Sequence, residues 1–228
     1  ELKKINSELD NFVYSVSHDL RSPLLAILGL VQLIHQHQHS DEAKQKYISM
    51  IAASATRMDD TIKEILDYSR NARLDIVVSP VDFNLLIREI FEDVRHISPE
   101  KITLELNIKQ DIPFYSDSNR ISTLIKNIIS NSVKYRKKGI NNSYIKINIL
   151  ITPEEALLRF EDNGEGIEAI HQDRIFDMFY RASNSAPGTG LGLYICKEIL
   201  HNINGTITLD SVAGEGSVFT VTIMNKTN

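Results

Sequence analysis

Asn127 and Asn131 stand four residues apart, which on a helix places both amides on one face. Amide oxygens suit Mg²⁺ when phosphates and water complete its shell. Lys134 and Tyr135 follow within a turn and offer a mobile cation for a phosphate and a ring for a base or for the core. An amphipathic helix with a polar outer face accounts for the same four residues. Asp162-Asn163-Gly164-Glu165-Gly166-Ile167 follows directly on a strand-like run. Its glycines let the backbone turn tightly against a ligand, and Asp162 can accept from an exocyclic amine such as that of adenine. An ordinary Asn-Gly turn has the same composition. Gly188-Thr189-Gly190-Leu191-Gly192-Leu193 opens a helix whose first N–H groups and dipole attract an anion. The spacing is not the dinucleotide fingerprint, and neither a Walker lysine nor the Ser/Thr protein kinase motifs are present. A flexible hinge loop is the competing reading.

Ser17-His18-Asp19-Leu20-Arg21-Ser22-Pro23-Leu24 lies within a helical pattern. Pro23 removes one helical hydrogen bond and crowds the carbonyl near Asp19. His18 stands off the apolar face Leu9, Phe12, Val16, Leu20. A neutral imidazole nitrogen is a competent phosphoryl acceptor, and Asp19 can hold the proton of the other ring nitrogen. A solvated surface histidine is the alternative.

These groups need elements to position them. Leu2, Ile5, Leu9, Phe12 and Val16 form a heptad seam, and the apolar face then widens through Leu20, Leu24, Ile27, Leu28, Val31 and Ile34. The polar stretch His35 to Ser40 breaks the period, and Ser40 caps a second helix running to about Arg70, with Tyr47, Ile51, Ser54, Met58, Ile62 and Ile65 on one face. Two long helices on a short loop make an antiparallel hairpin, and a lone hairpin cannot bury both faces. A homodimeric four-helix bundle is therefore expected, with the N-terminal seams parallel.

After Arg73 the pattern changes. Leu74 to Val78 is expected as a short strand ended by Pro80, and Asp82 and Asp117 as helix caps. Ile102 to Ile108, Tyr144 to Thr152, Ala156 to Glu161, Gly205 to Ser211 and Ser217 to Met224 are expected as strands. That makes an α+β sandwich with helices on one side of a mixed or mostly antiparallel sheet. Charges of 25 Lys+Arg against 30 Asp+Glu, a net of -5 over 228 residues, argue against broad nucleic-acid binding. The single Cys196 excludes an internal disulfide. No apolar run reaches membrane-span length, so a soluble, cytoplasmic fragment without membrane contact is expected.

Taken together, the motifs resemble the core of a sensor histidine kinase of two-component systems, over about residues 1 to 224. SHDLRSPL at 17–24 resembles the family's H box, NIISNSVKY at 127–135 its N box and DNGEGI at 162–167 its G1 box. IFDMFYR at 175–181 resembles the F box of a mobile ATP lid, GTGLGL at 188–193 the G2 box and GEGSVF at 214–219 the closing glycine motif. The resemblance implies a multidomain chain. Residues 1–72 would be an all-α dimerisation and histidine-phosphotransfer hairpin, 73–80 a hinge with a short strand, and 81–228 an ATP-binding domain of the GHKL or Bergerat type.

It also implies ATP-dependent phosphorylation of His18 with Asp19 orienting it, then transfer to an aspartate of a response-regulator receiver domain. Mg²⁺ would be held by Asn127 and Asn131. The nucleotide would be met by these two, Lys134, Tyr135, Asp162, Gly164, Gly166, Ile167, Phe179, Arg181, Gly188, Thr189, Gly190, Leu191, Gly192 and Leu193. A sensory module is expected ahead of Glu1, outside this chain. Two departures stand out. Ser22 occupies the position where Thr or Asn orients a water for phosphatase action, and Ser132 stands where alanine is usual. The first leaves phosphatase activity on the partner open. The second is expected to fit the same space and leave nucleotide binding intact. An ATPase or Ser/Thr kinase on the same ATP fold is the main rival, but it has no need of His18 beside Pro23 in a hairpin.

Overall fold

The computed structural model describes residues 2–36, 40–73, 75–95, 101–183 and 188–226, and the side chains of 2–11, 36, 72 and 73 lie outside that description. The seam residues Leu2, Ile5 and Leu9, the hairpin connection at 37–39 and the lid residues 184–187 therefore fall outside it.

Helix α1 (Leu2–Gln36) and helix α2 (Asp41–Arg73) form the hairpin, with Pro23 inside α1. Ser40 caps α2 as expected: its hydroxyl accepts from the Ala43 amide at 3.3 Å, and Asp41 and Glu42 lie in the first turn. The apolar face does not close within one chain. Leu30 is buried, but Leu24, Leu28, Val31 and Ile62, all expected in packed faces, stand exposed beside Leu25, Leu33 and Leu66. Two helices share one seam, and among the described residues the side chains beyond it remain solvent-facing.

The C-terminal part begins with strand β1 (Val78–Pro80), which pairs antiparallel with β3 (Tyr115–Asp117). The strand thus lies later than the expected Leu74 to Val78, and Pro80 is its last residue rather than its terminator. Proline is tolerated there because the ribbon is continued past it by the Val81 amide, which donates to the Phe114 carbonyl at 2.9 Å. Helix α3 (Phe83–Arg95) is capped by Asp82, which accepts from the Leu85 amide at 3.0 Å. Strand β2 (Ile102–Lys109) then leads, through β3, to helix α4 (Ser118–Lys134), capped by Asp117.

Strands β4 (Ser143–Ile151), β5 (Glu155–Asp162), β6 (Thr206–Val212) and β7 (Gly216–Met224) join β2 in a five-stranded sheet ordered β2-β4-β5-β7-β6. Only β2 and β4 run parallel. One sheet face carries Ile145, Ile147, Ile149, Leu158, Phe160 and Val221 against Ile121, Leu124, Ile125, Ile128 and Ile129 of α4, all buried. Between β5 and helix α6 (Gly192–Ile203), the described residues hold only a single helical turn, α5 (Ala169–Gln172).

The halves meet at Arg120, a 7% exposed guanidinium in the first turn of α4. Its Nε donates to Asn71 Oδ1 at 2.9 Å, its Nη2 to the Asn71 carbonyl at 3.1 Å and its Nη1 to the Asp75 carbonyl at 3.3 Å. Nη1 also pairs with Asp117 Oδ2 at 2.5 Å, and that carboxylate accepts from the Val77 amide at 3.2 Å. The guanidinium and these donated bonds hold the Asp117 carboxyl below its ordinary range, against burial that pushes it up.

Candidate functional site

A solvent-open cleft encloses about 1030 Å³, open water included, between the outer face of α4, the end of β5 and the glycine segment before α6. The α4 wall supplies Asn127, Asn131, Ser132, Lys134 and Tyr135. Their spacing does this: the apolar residues of the helix face the sheet, so the amides rise together on the other side. Opposite stand Gly166 and Ile167, with Arg181, Gly188, Thr189, Gly190, Gly192 and Leu193. Thus thirteen of the sequence-predicted nucleotide residues are brought together, counting Asp162 at the base.

Asp162 ends β5, where strand pairing with Ser217 fixes its backbone. Its Oδ1 accepts from the Gly164 amide at 2.9 Å and its Oδ2 from the Ser132 hydroxyl at 2.9 Å. Burial pushes its carboxyl above the ordinary aspartate value, and these two donors, together with the Ser217 amide, oppose the shift. Gly164 does not line the cleft. A Cβ there would stand 2.6 Å from the Tyr135 carbonyl oxygen, so the absent side chain lets the loop seat against the end of α4.

Leu191, at the N-cap of α6, supplies no side-chain cap, so it leaves the first-turn amides for another acceptor. Leu191 is itself fully buried in the core rather than in the cleft wall, and its amide donates to Thr189 Oγ1 at 3.1 Å. Asn127 lies against this helix start, with its Oδ1 3.4 Å from where a Gly192 Cβ would sit.

Phe179 turns away from the cleft and meets the hairpin. Its ring centroid lies 5.8 Å from that of Phe12 on α1, which in turn lies 5.6 Å from Tyr68 on α2. Phe179 holds φ of 62°, a left-handed conformation rare for a bulky residue. Gly190, at φ of 78°, packs against its backbone, where a Cβ would come within 2.7 Å of the Phe179 carbonyl carbon. Tyr180, one residue on, does line the cleft. Its hydroxyl meets His171 Nδ1 at 2.6 Å and the Arg174 guanidinium lies 4.3 Å from its ring centroid.

Glu64 of α2 also lines the cleft, where its carboxylate accepts from the Thr189 hydroxyl. Burial raises its carboxyl above the ordinary glutamate value, with the Thr189 bond and the Lys134 charge opposing, and Asp60 and Asp19 adding to the rise. No local pattern around Glu64 points to this role, because its placement depends on how α2 packs against a segment 125 residues later. His18, Asp19 and Ser22 lie outside the cleft, on α1. The His18 side chain is 70% exposed, and its Nδ1 meets Asp19 Oδ1 at 3.2 Å.

Among the described residues no three His, Cys, Asp or Glu side chains form a metal cluster. The two amide oxygens of α4 instead fit a hard cation that takes most of its shell from phosphates and water. Cys196 is buried behind the site, and burial pushes its thiol up to about 12. Among the described residues no helix is long and apolar enough to cross a membrane.

Comparison with known proteins assigns both halves. Residues 8–73 match the His Kinase A (phospho-acceptor) domain and residues 116–227 match the histidine kinase-, DNA gyrase B- and HSP90-like ATPases. The chain is 34% identical to cyanobacterial phytochrome B of Nostoc sp. over 99% of its own length and 30% of that protein's. It is 29% identical to the aerobic respiration control sensor protein ArcB of Escherichia coli over 97% of its length and 29% of that protein's. The chain therefore spans under a third of these two relatives. The solved structure of the histidine kinase ThkA in complex with the response regulator protein TrrA superposes with a TM-score of 0.75 at 25% identity, covering 98% of this chain and 64% of that one. With an exposed histidine on the phospho-acceptor hairpin and an open cleft in the ATPase domain, the chain belongs to the sensor histidine kinases as their catalytic core.

Proposed function

We propose that this chain transfers the γ-phosphoryl group of ATP to His18 and passes it on to an aspartate of a receiver domain. The observation that carries the reading is the pairing, in one chain, of an acidic group pinned at the base of a nucleotide-sized cleft with an exposed His18 whose Nδ1 faces Asp19. Asp162 accepts from the adenine amine. Lys134 and the first-turn amides of α6 face the phosphates, with Arg181 at the rim. Asn127 and Asn131 would hold Mg²⁺, which would supply neutralisation of phosphate charge. Asp19 orients the imidazole through Nδ1, leaving Nε2 to attack. The P–O bond to ADP breaks as the N–P bond forms, and the imidazole proton leaves to solvent or to a nearby base.

Residues 1–72 act as the dimerisation and phosphotransfer hairpin and 81–228 as the ATP-binding domain. Residues 73–80 act as the connection between them, and its stretch from Asp75 on is tied to the ATP-binding side by Arg120, Asp117 and the β1–β3 ribbon. The exposed leucines of α1 and α2 support a homodimer. The ThkA structure holds a response regulator, which supports a receiver domain as partner here. Ser22 is exposed one turn after His18, and its hydroxyl could orient a water for hydrolysis of the receiver's phospho-aspartate, a separate phosphatase activity.

The test is incubation with γ-labelled ATP and Mg²⁺. The native chain should take an acid-labile, base-stable label, and His18→Ala should take none while binding ATP as before. A label that persists in the variant means that the acceptor lies elsewhere.

A further inference from the structure

Ser132 is 6% exposed on α4, directly after Asn131, and its hydroxyl reaches Asp162 Oδ2 at 2.9 Å. Its other acceptor, the Ile128 carbonyl a turn back, is longer at 3.3 Å. A hydroxyl has one proton, and the shorter, charge-assisted bond to the carboxylate takes it. Alanine fills nearly the same volume but supplies no donor, so serine fits here as expected and adds a bond to Asp162 that alanine could not make.

We propose that Ser132 is a positioning residue for purine recognition: with the Gly164 amide it places a donor on each oxygen of Asp162, beside the Ser217 amide that also donates to this carboxylate, and it helps fix the carboxylate plane as an acceptor toward the purine 6-position. The inference rests on reading the cleft as an ATP site. With both oxygens engaged, the carboxylate cannot swing about its Cβ–Cγ bond without breaking a bond. A 6-amino purine then finds an aligned acceptor, whereas a 6-oxo purine sets oxygen against oxygen. Burial works the other way, because it favours the protonated acid, which would donate to a 6-oxo group. Two titratable groups face Asp162. Glu161, its neighbour on β5, is paired with Arg159, and Tyr144 on β4 donates to Glu161. Neither supplies Asp162 with a donor.

The experiment is calorimetric affinity of the whole chain for the Mg²⁺ complexes of ATP, inosine triphosphate and purine riboside triphosphate, the last having no 6-substituent. Ser132→Ala is expected to bind ATP about tenfold more weakly. Its affinity for purine riboside triphosphate should stay within about twofold, and its preference for ATP over inosine triphosphate should fall. Alanine favours a helix interior, so α4 keeps its fold. On an Asp162→Asn background, Ser132→Ala should change the ATP-to-purine-riboside ratio no further. Equal weakening toward all three nucleotides, or an unchanged ATP affinity, overturns the role of Ser132 and leaves the ATP site standing. A native chain that binds none of the three overturns the ATP site, and this inference with it.

Discussion

The two halves of the chain treat their apolar residues in opposite ways. In the ATP-binding half, the core-facing residues of β4, β5 and β7 close against α4 and α6, and residues such as Ile121, Ile147, Leu158 and Val221 are wholly covered. In the hairpin, Leu25 stays 59% exposed and Leu28 51%, along with Ile48, Met50 and Leu66. A sheet backed by helices completes a core within one chain, whereas two helices present more apolar face than they can share. The half that binds nucleotide is finished alone. The hairpin leaves an apolar face uncovered among the described residues, the face for which a second copy is proposed.

The largest effect should come from attacking that difference directly. Leu25→Glu with Leu28→Glu puts four carboxylates into a two-copy interface. Losing the burial of each leucine costs about 1.5–3 kcal/mol, before the charges are counted. Sedimentation of the variant should show a monomer, with ATP affinity within about twofold of native because Leu25 and Leu28 do not line the cleft. A variant that stays dimeric places the interface on a different face. A monomer that has also lost ATP binding dissolves the distinction between the halves.

Next in size is the junction. Arg120 is a buried charge whose partners come from α2, the connection and α4, and it is the main polar tie between the halves. Arg120→Ala leaves Asp117 buried without its cation and should cost about 3–5 kcal/mol in urea unfolding. Should the loss stay below about 1 kcal/mol, the halves are held together by Phe12, Tyr68 and Phe179 instead.

The same comparison governs what could be read from the sequence. In the ATP-binding half, period-two and helical patterns gave strands and helices to within a residue or two. In the two-stranded ribbon, pairing across 37 residues between Ser79 and Ser116 outweighs local alternation: β1 lies later than expected, and β3 was not read as a strand. Asn127, Asn131 and Asp162 were legible because their chemistry and spacing are local. For Phe179 the sequence left a closed lid, the hairpin and the core open as destinations, and the ring of Phe12 on α1, more than 160 residues earlier, selects the hairpin. The bond from Ser132 to Asp162 was not legible, because it joins a helix interior to a strand end. Residues acting through their own helix or loop are visible in order. Those acting across the junction are visible only once α2 is laid against the glycine segment.

Glu64 is the sharpest case, and the smallest expected effect. Its carboxylate enters from the hairpin to meet Thr189, beside Lys134, in the part of the cleft that faces the phosphates. Its carboxyl is raised above the ordinary value, so between that value and the raised one the docked chain binds more protons than an undocked one. The contribution of this contact is therefore complete at low pH and weakens as pH rises through that window, until the charged carboxylate opposes both docking and incoming phosphates. Glu64→Gln keeps the shape and the acceptor but removes the charge. ATP affinity at neutral pH should rise about fivefold, equivalent to ~1 kcal/mol of relieved repulsion. That gain should shrink as pH falls and protonation neutralises the native side chain. Calorimetry of both variants across pH reads the two features at once. Identical affinities at every pH would mean that the cleft leaves α2 before ATP enters, so that the acceptor half exerts no electrostatic control over the half that binds nucleotide.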